Sequence, residues 1–223
     1  MAENQPHTIL FTNFGKVGAK TLEEARVTHN ATAGQPDGVA AAKALGDLSH
    51  LVFAPLSGWT GDLIFLDQWT SAEGLQQFFA DPQVQAGASQ LFTEYEPVVW
   101  RPESGFNSYH ISEPIGRADR IVGILRGPVA SMEKAQSIMN GVWSSRVNQA
   151  RKLGLVSHET FVRLAAPGTP EASEIIAIDM WSHADGFNTL YEDASFMQGF
   201  DGVFTGEAST WILQRPAGSW IEW

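Results

Sequence analysis

The sequence predicts an α+β fold in which one βαββαβ unit is written twice and the two copies pack sheet to sheet. Three observations carry this expectation. First, the stretch LDQWTSAEGLQQFFADP at Leu66 to Pro82 returns as IDMWSHADGFNTLYEDA at Ile178 to Ala194. Second, the match is collinear on both sides. At one spacing Trp69 pairs with Trp181, Asp67 with Asp179 and Gly74 with Gly186; upstream, LGDLSH pairs with LGLVSH and TLEEARVTHN with SMEKAQSIMN. Spacing changes fall only where loops should lie, as insertions and deletions do. Third, each copy carries the same order of strand-like runs and helix-like periodicities.

Each element has a local reason. β-rich runs open the copies, His7 to Phe14 and Arg120 to Gly127. A helix follows, with Thr21 and Ser131 as N-caps and Glu23 and Glu133 in the first turn, where the helix dipole favours acids. Second strands are expected through His50 to Leu56 and His158 to Leu164, and third strands through Leu63 to Trp69 and Ile175 to Trp181. Thr70-x-x-Glu73 reads as a capping box and Ser182-x-x-Asp185 as its weaker counterpart. The helix after it presents Leu75, Phe78 and Phe79 at helical spacing, and Asp81-Pro82 restarts it with a cap and an N1 proline. Last strands run near Glu96 to Arg101 and Thr210 to Arg215. This order is the ferredoxin-like split βαβ arrangement.

On the third strand Leu63, Phe65, Asp67 and Trp69 share one face, and Ile64, Leu66 and Gln68 the other. Both faces are mostly apolar. Helices cover one, and the second copy is expected to cover the other, as an intrachain pseudo-dimer. The expected boundaries are a first repeat at 1–103, a linker and edge strand at 104–118, and a second repeat at 119–223. The aromatic stretches FNSYHI and SWIEW, each following an Arg-Pro, are expected to add edge strands that latch the halves.

Charge narrows the partners. The 223 residues carry a formal net charge of −11, with an isoelectric point near 4.9. A nucleic-acid partner needs a basic footprint that is missing here, and an anionic membrane surface would repel this chain. There is no cysteine, which excludes disulfides and thiolate chemistry. The start MAENQPHTILF shows no signal-peptide pattern, and no apolar run is long enough for a membrane helix, so a cytoplasmic location is expected. No His-x-x-x-His or clustered carboxylate motif points to a metal.

The pattern resembles the dimeric α/β-barrel superfamily, and within it the antibiotic-biosynthesis-monooxygenase (ABM) type domains. The likeness lies in the strand-ending Trp, the following hydroxyl-x-x-acid helix start, Phe-Phe-x-Asp-Pro and the apolar helix after it, and it covers both halves. It implies a small enzyme of the monooxygenase, cyclase or isomerase type. The implied ligand is aromatic or polyketide-like, bound between helices and sheet of one unit, with no cofactor and O2 as co-substrate for an oxygenase. The alternative is a non-catalytic ligand-binding or stress-associated barrel protein. A tandem pair already contains the superfamily's dimer, so a monomeric pseudo-dimer and a homodimer are both compatible. In heme-degrading members an Asn, a Trp and a helical His form the site. Asn13 and Trp69 match the first two, the His position falls near Ala88, and in the second half only Trp181 remains.

The repeat offers an internal comparison: polar residues present in one copy alone mark a candidate site. On the first helix Leu22, Ala25, His29 and Ala33 fall on one stripe; His29 stands there where the second copy has Met139, and on the first strand Asn13 stands where it has Leu125. His29 is therefore expected as a general base, with a ring suited to proton transfer near neutral pH, or else as a core histidine satisfied by a backbone carbonyl. Asp67 is expected to orient it and Asn13 to position a ligand oxygen. Trp69, Phe11, Phe65 and Phe78 are expected as walls. Asn30 and Asn140 match, which predicts a structural hydrogen bond. His50 and His158 begin equivalent strands and are expected to bond there.

Overall fold

The computed structural model describes residues 8–110, 120–165 and 173–223. His7 and most of the expected linker lie outside them. The chain divides into two compact units, residues 1–102 with 216–223, and residues 103–215. The segment after each Arg-Pro therefore joins a defined unit. Residues 103–110, expected in part as linker, belong to the second, and 216–223, expected at the end of the second repeat, belong to the first.

The first unit runs β1 (Ile9–Val17), α1 (Leu22–Ala31), α2 (Pro36–Ala44), β2 (Asp47–Pro55), β3 (Asp62–Trp69), α3 (Ala72–Phe79), α4 (Pro82–Leu91) and β4 (Phe92–Pro102). β1 pairs antiparallel with both β3 and β4, and β2 pairs with β3, which gives the ferredoxin-like order β4-β1-β3-β2. The second unit runs β5 (Tyr109–His110), β6 (Ile121–Pro128), α5 (Met132–Lys152), β7 (Leu155–Arg163), β8 (Glu174–Trp181), α6 (Ala184–Tyr191), α7 (Ala194–Gln198) and β9 (Ser209–Gln214). Its sheet repeats the order, with β6 between β8 and β9, β7 on β8, and β5 added on β7. No helix among the described residues is long and apolar enough to cross a membrane.

Two local details differ from expectation. The caps of α3 and α6 are Ser71 and His183, not Thr70 and Ser182. Ser71 Oγ accepts from Gly74 N–H at 3.1 Å, and His183 Nδ1 from Gly186 N–H at 3.2 Å. Thr70 and Ser182 instead end the strands through their backbone N–H groups, which donate to Gly46 and Gly154 carbonyls. The larger difference is the first helix. One helix was expected to carry both His29 and Ala33, but α1 stops at Ala31. Pro36 has no N–H to donate, and its ring would collide with the carbonyl of Thr32 in a continuous helix. It forces Gln35 to an extended conformation (φ −65°, ψ 134°) and starts α2. In the second unit Arg146 takes that place and α5 continues for 21 residues.

Both units use a glycine for close approach of a helix start to a turn. A Cβ on Gly74 would lie 1.9 Å from the Leu45 carbonyl oxygen, and one on Gly186 1.6 Å from that of Leu153. Gly74→Ala is therefore expected to cost roughly 1–3 kcal/mol through overpacking. Gly141→Ala is the control. Its Cβ meets nothing within 4 Å on α5, so the change should add about 1 kcal/mol of helix propensity. Denaturant midpoints of the two variants check both signs, and a neutral Gly74→Ala would contradict the close approach.

Candidate functional site

The sheet register brings Phe11 and His50 to either side of Asp67, and Asn13 and Val52 to either side of Phe65. Cross-strand neighbours share a face, so these side chains look the same way. Over them, in the first unit, lies a cavity of about 970 Å³. Phe11, Asn13, His50, Phe65 and Asp67 form its floor, Phe78 and Phe79 belong to its helical wall, and Ala33 lies where α1 breaks off.

Behind the floor runs a chain of buried hydrogen bonds. Asn30 Oδ1 lies 3.0 Å from His29 Nδ1, His29 Nε2 lies 3.0 Å from His50 Nε2, and His50 Nδ1 lies 2.7 Å from Asp67 Oδ1. The proton positions follow from the ends. Asn30 Nδ2 donates to the Ser219 carbonyl at 2.8 Å, and Asn30 Oδ1 accepts from Ile221 N–H at 3.1 Å. Backbone carbonyls only accept and N–H groups only donate, so the Asn30 amide cannot be turned round. His29 must then carry its proton on Nδ1. Burial, with the nearby His50, lowers the His29 pKa to about 4, so the ring is neutral at pH 7 and Nε2 is a bare acceptor. His50 must donate to it. Burial alone would depress the His50 pKa, but the charge of Asp67, their hydrogen bond and Asp47 outweigh it and raise the pKa. His50 is thus an imidazolium donating from both nitrogens.

The chain's end closes the site. His50 and Trp223 exchange backbone hydrogen bonds, His50 N–H to Trp223 O at 2.9 Å and Trp223 N–H to His50 O at 3.3 Å. The Trp223 ring stacks on His50 with centroids 4.8 Å apart and lines the cavity. Trp220 packs on His29 at 5.1 Å and joins the hydrophobic core of this unit. SWIEW therefore contributes walls and one bridging residue pair rather than a full edge strand.

Asp47, at the start of β2, is the residue that sequence reasoning missed. It lines the cavity, is 6% exposed, and accepts a hydrogen bond from Ser49 N–H at 3.2 Å. Burial first, and then the charge of Asp67, raise its pKa from 3.8 to about 7, against smaller opposing effects of His50, Ser49 and Trp223. The signal was available: Asp47 aligns with Leu155 in the paired LGDLSH and LGLVSH.

The predicted residues divide. Asn13, Asp67, Phe11, Phe65 and Phe78 line the cavity, and Asn13 Oδ1 is buried there without a hydrogen-bond partner. His29 is fully buried with both ring nitrogens occupied by side chains, and it stands behind His50 rather than on the cavity wall. Asp67 is bonded to His50 and does not orient His29 directly. Trp69 is fully buried behind Phe78, with ring centroids 5.5 Å apart, so it supports a wall rather than forming one.

The second unit keeps the frame and packs other side chains on it. His158 Nδ1 bonds Asp179 Oδ1 at 2.5 Å. Asn140 holds Gly105 O and Asn107 N–H as Asn30 holds Ser219 and Ile221. But Met139 replaces His29, and the uninterrupted α5 brings Trp143, the counterpart of Ala33, onto His158 at 4.1 Å. Tyr191, the counterpart of Phe79, donates its hydroxyl to Asp179 Oδ2.

Among the described residues no group of three His, Cys, Asp or Glu side chains could hold a metal ion. Heme, which the resemblance raises for some members, does not fit the residues present. Ala88 stands at the helix position that would supply its His, and the imidazole on the cavity wall, His50, has both nitrogens hydrogen-bonded.

No family model and no curated protein matches the chain. Solved structures do. An anthrone oxidase-like protein superposes with a TM-score of 0.66 at 15% identity, over 96% of this chain and 93% of that one. A ferredoxin-fold protein from Listeria monocytogenes 4b F2365, described as related to antibiotic biosynthesis monooxygenases, gives 0.51 at 10% identity, over 96% and 97%. A variant of chlorite dismutase from Candidatus Nitrospira defluvii gives 0.56 at 13%, over 96% and 92%. At these identities the likeness is one of fold. The chain has a tandem ferredoxin-like α+β fold, similar to that of the Listeria protein related to antibiotic biosynthesis monooxygenases.

Proposed function

We propose that the first unit is a small cofactor-independent enzyme of the monooxygenase, cyclase or isomerase type, acting on an aromatic or polyketide-like molecule. One observation carries this reading. The frame of the first unit carries a cavity where the second seats Trp143 on His158 and Tyr191 on Asp179, and it places a carboxylate, Asp47, where the second has Leu155. The monooxygenase-like neighbours lend the reaction class.

Asp47 takes a proton from a ligand O–H or activated C–H. A carboxylate that titrates at about 7 is matched to proton transfer at neutral pH. The electron pair left on the ligand makes an anion that reacts with O2, cyclises or isomerises. In the oxygenase case a CH2 carbon and O2 give a carbonyl and water. Asn13, on the cavity lining, positions the ligand oxygen. His29 acts through His50, holding its charge beside the reacting anion. Phe11, Phe65 and Phe78 hold the ring.

Oxygen uptake with anthrone or a hydroquinone, alongside product analysis, tests this. Asp47→Asn is expected to lower kcat/KM by about 100-fold or more and to remove the rise in activity through pH 7. The same variant should gain stability at pH 8. Asp47 has a folded pKa raised above its unfolded value, so its contribution is present below pH 3.8, is lost as pH rises through about 7, and is a cost above that. The gain should shrink as pH falls toward 4. Full activity in Asp47→Asn contradicts the role, and binding without turnover in the unsubstituted chain favours a non-catalytic ligand-binding protein.

A further inference from the structure

The second unit contains, as part of its own chain, what the first unit's cavity lacks. Asp179 has two carboxylate oxygens and two partners. Oδ1 bonds His158, and Oδ2 accepts the Tyr191 hydroxyl. Tyr191 is half-buried, and burial of its hydroxyl with the charge of Asp179 raises its pKa well above the ordinary phenol value, so it is a neutral donor. In the first unit Asp67 bonds His50 in the same way. The residue matching Tyr191 is Phe79, which ends α3 as Tyr191 ends α6 and has no hydroxyl to give. Asp67 lines the cavity instead. The ring volume is missing as well, since Ala33 stands where Trp143 lies in the other unit.

We propose that Asp67 is the hydroxyl-recognition point of the cavity, binding an uncharged phenol that donates to it as Tyr191 donates to Asp179. The ligand's rings occupy the space that Trp143 and Tyr191 fill in the second unit. This rests on reading the cavity as a ligand site, and it adds the ligand's class and its orientation. The lining agrees with that class. It includes Asp37, Asp47, Asp67 and Asp81 and no lysine or arginine, and the one cation, His50, has both ring nitrogens engaged by Asp67 and His29, so a carboxylated aromatic would meet net repulsion.

Binding of 2-naphthol, naphthalene and 2-naphthoate to the full chain, followed by calorimetry, tests the proposal without requiring turnover. 2-Naphthol should bind about 10-fold or more tightly than naphthalene, the difference a hydrogen bond to a charged acceptor makes, and naphthoate should bind worst. With 13C-labelled aspartate, the Asp67 carboxyl resonance should move with 2-naphthol and stay still with naphthalene. Phe79→Tyr should bring 2-naphthol down to the level of naphthalene by placing a hydroxyl on Asp67 from within; if that variant folds poorly, the carboxyl resonance decides on the unsubstituted chain. Equal affinity for naphthol and naphthalene, or an unmoved Asp67 resonance, overturns the Asp67 site while leaving the cavity reading in place. No binding of either overturns both. Selective naphthol binding with no turnover of any phenol supports the site and overturns the enzymatic reading.

Discussion

The site depends on the buried run of hydrogen bonds from Asn30 through His29 and His50 to Asp67. Each link leaves the next one a single arrangement. Ser219 and Ile221 fix the Asn30 amide, the amide fixes the His29 tautomer, and the tautomer requires a proton on His50 Nε2. Burying such a set is costly unless every member is satisfied, and here every ring nitrogen is. The residues at 216–223 are thereby tied to the charge on the cavity floor. To lose the proton from His50 Nε2, the His29 ring would have to change tautomer against the Asn30 oxygen, or the amide would have to release the backbone it holds.

The duplication shows the frame without this arrangement. Both units keep the strand order, the Asp–His pair on the floor, the glycine under the helix start and the asparagine that grips the following segment. These shared features are architecture. The units part where one proline ends a helix. Pro36 turns the chain away and leaves Ala33 at the edge of a void, while Arg146 lets α5 run on and seat Trp143 on His158. A histidine, a buried aspartate and an orphaned asparagine oxygen gather in the first unit; methionine and two leucines stand in their places in the second.

Much of this was legible beforehand because repeats and strand alternation are local and redundant. The strands, the Asp81 cap and the contrast of His29 with Met139 can be read from spacing alone. The caps at Thr70 and Ser182 were misplaced by one residue, since adjacent hydroxyl or polar residues compete and the strand end claims the first through its backbone. The break after Ala31 was missed because the apolar stripe continues to Ala33 even though the helix does not. The pairing of Asp67 with His50 depends on the register between β2 and β3, which the sequence does not state. Asp47 was overlooked because it sits in a block that otherwise matches, and Trp223 because it reaches the floor from the far end of the chain.

Nitrogen-15 NMR of histidine-labelled protein tests the order of protons most directly. At about pH 6.5, where an ordinary histidine is half protonated, His29 should show a protonated Nδ1 and a bare Nε2, the latter gaining a proton only as the pH falls toward about 4. His50 should show both nitrogens protonated. A neutral His50 facing a His29 protonated on Nε2 would contradict the account, because the Asn30 oxygen would then face a bare nitrogen and the link from the chain's last residues to the cavity would be lost.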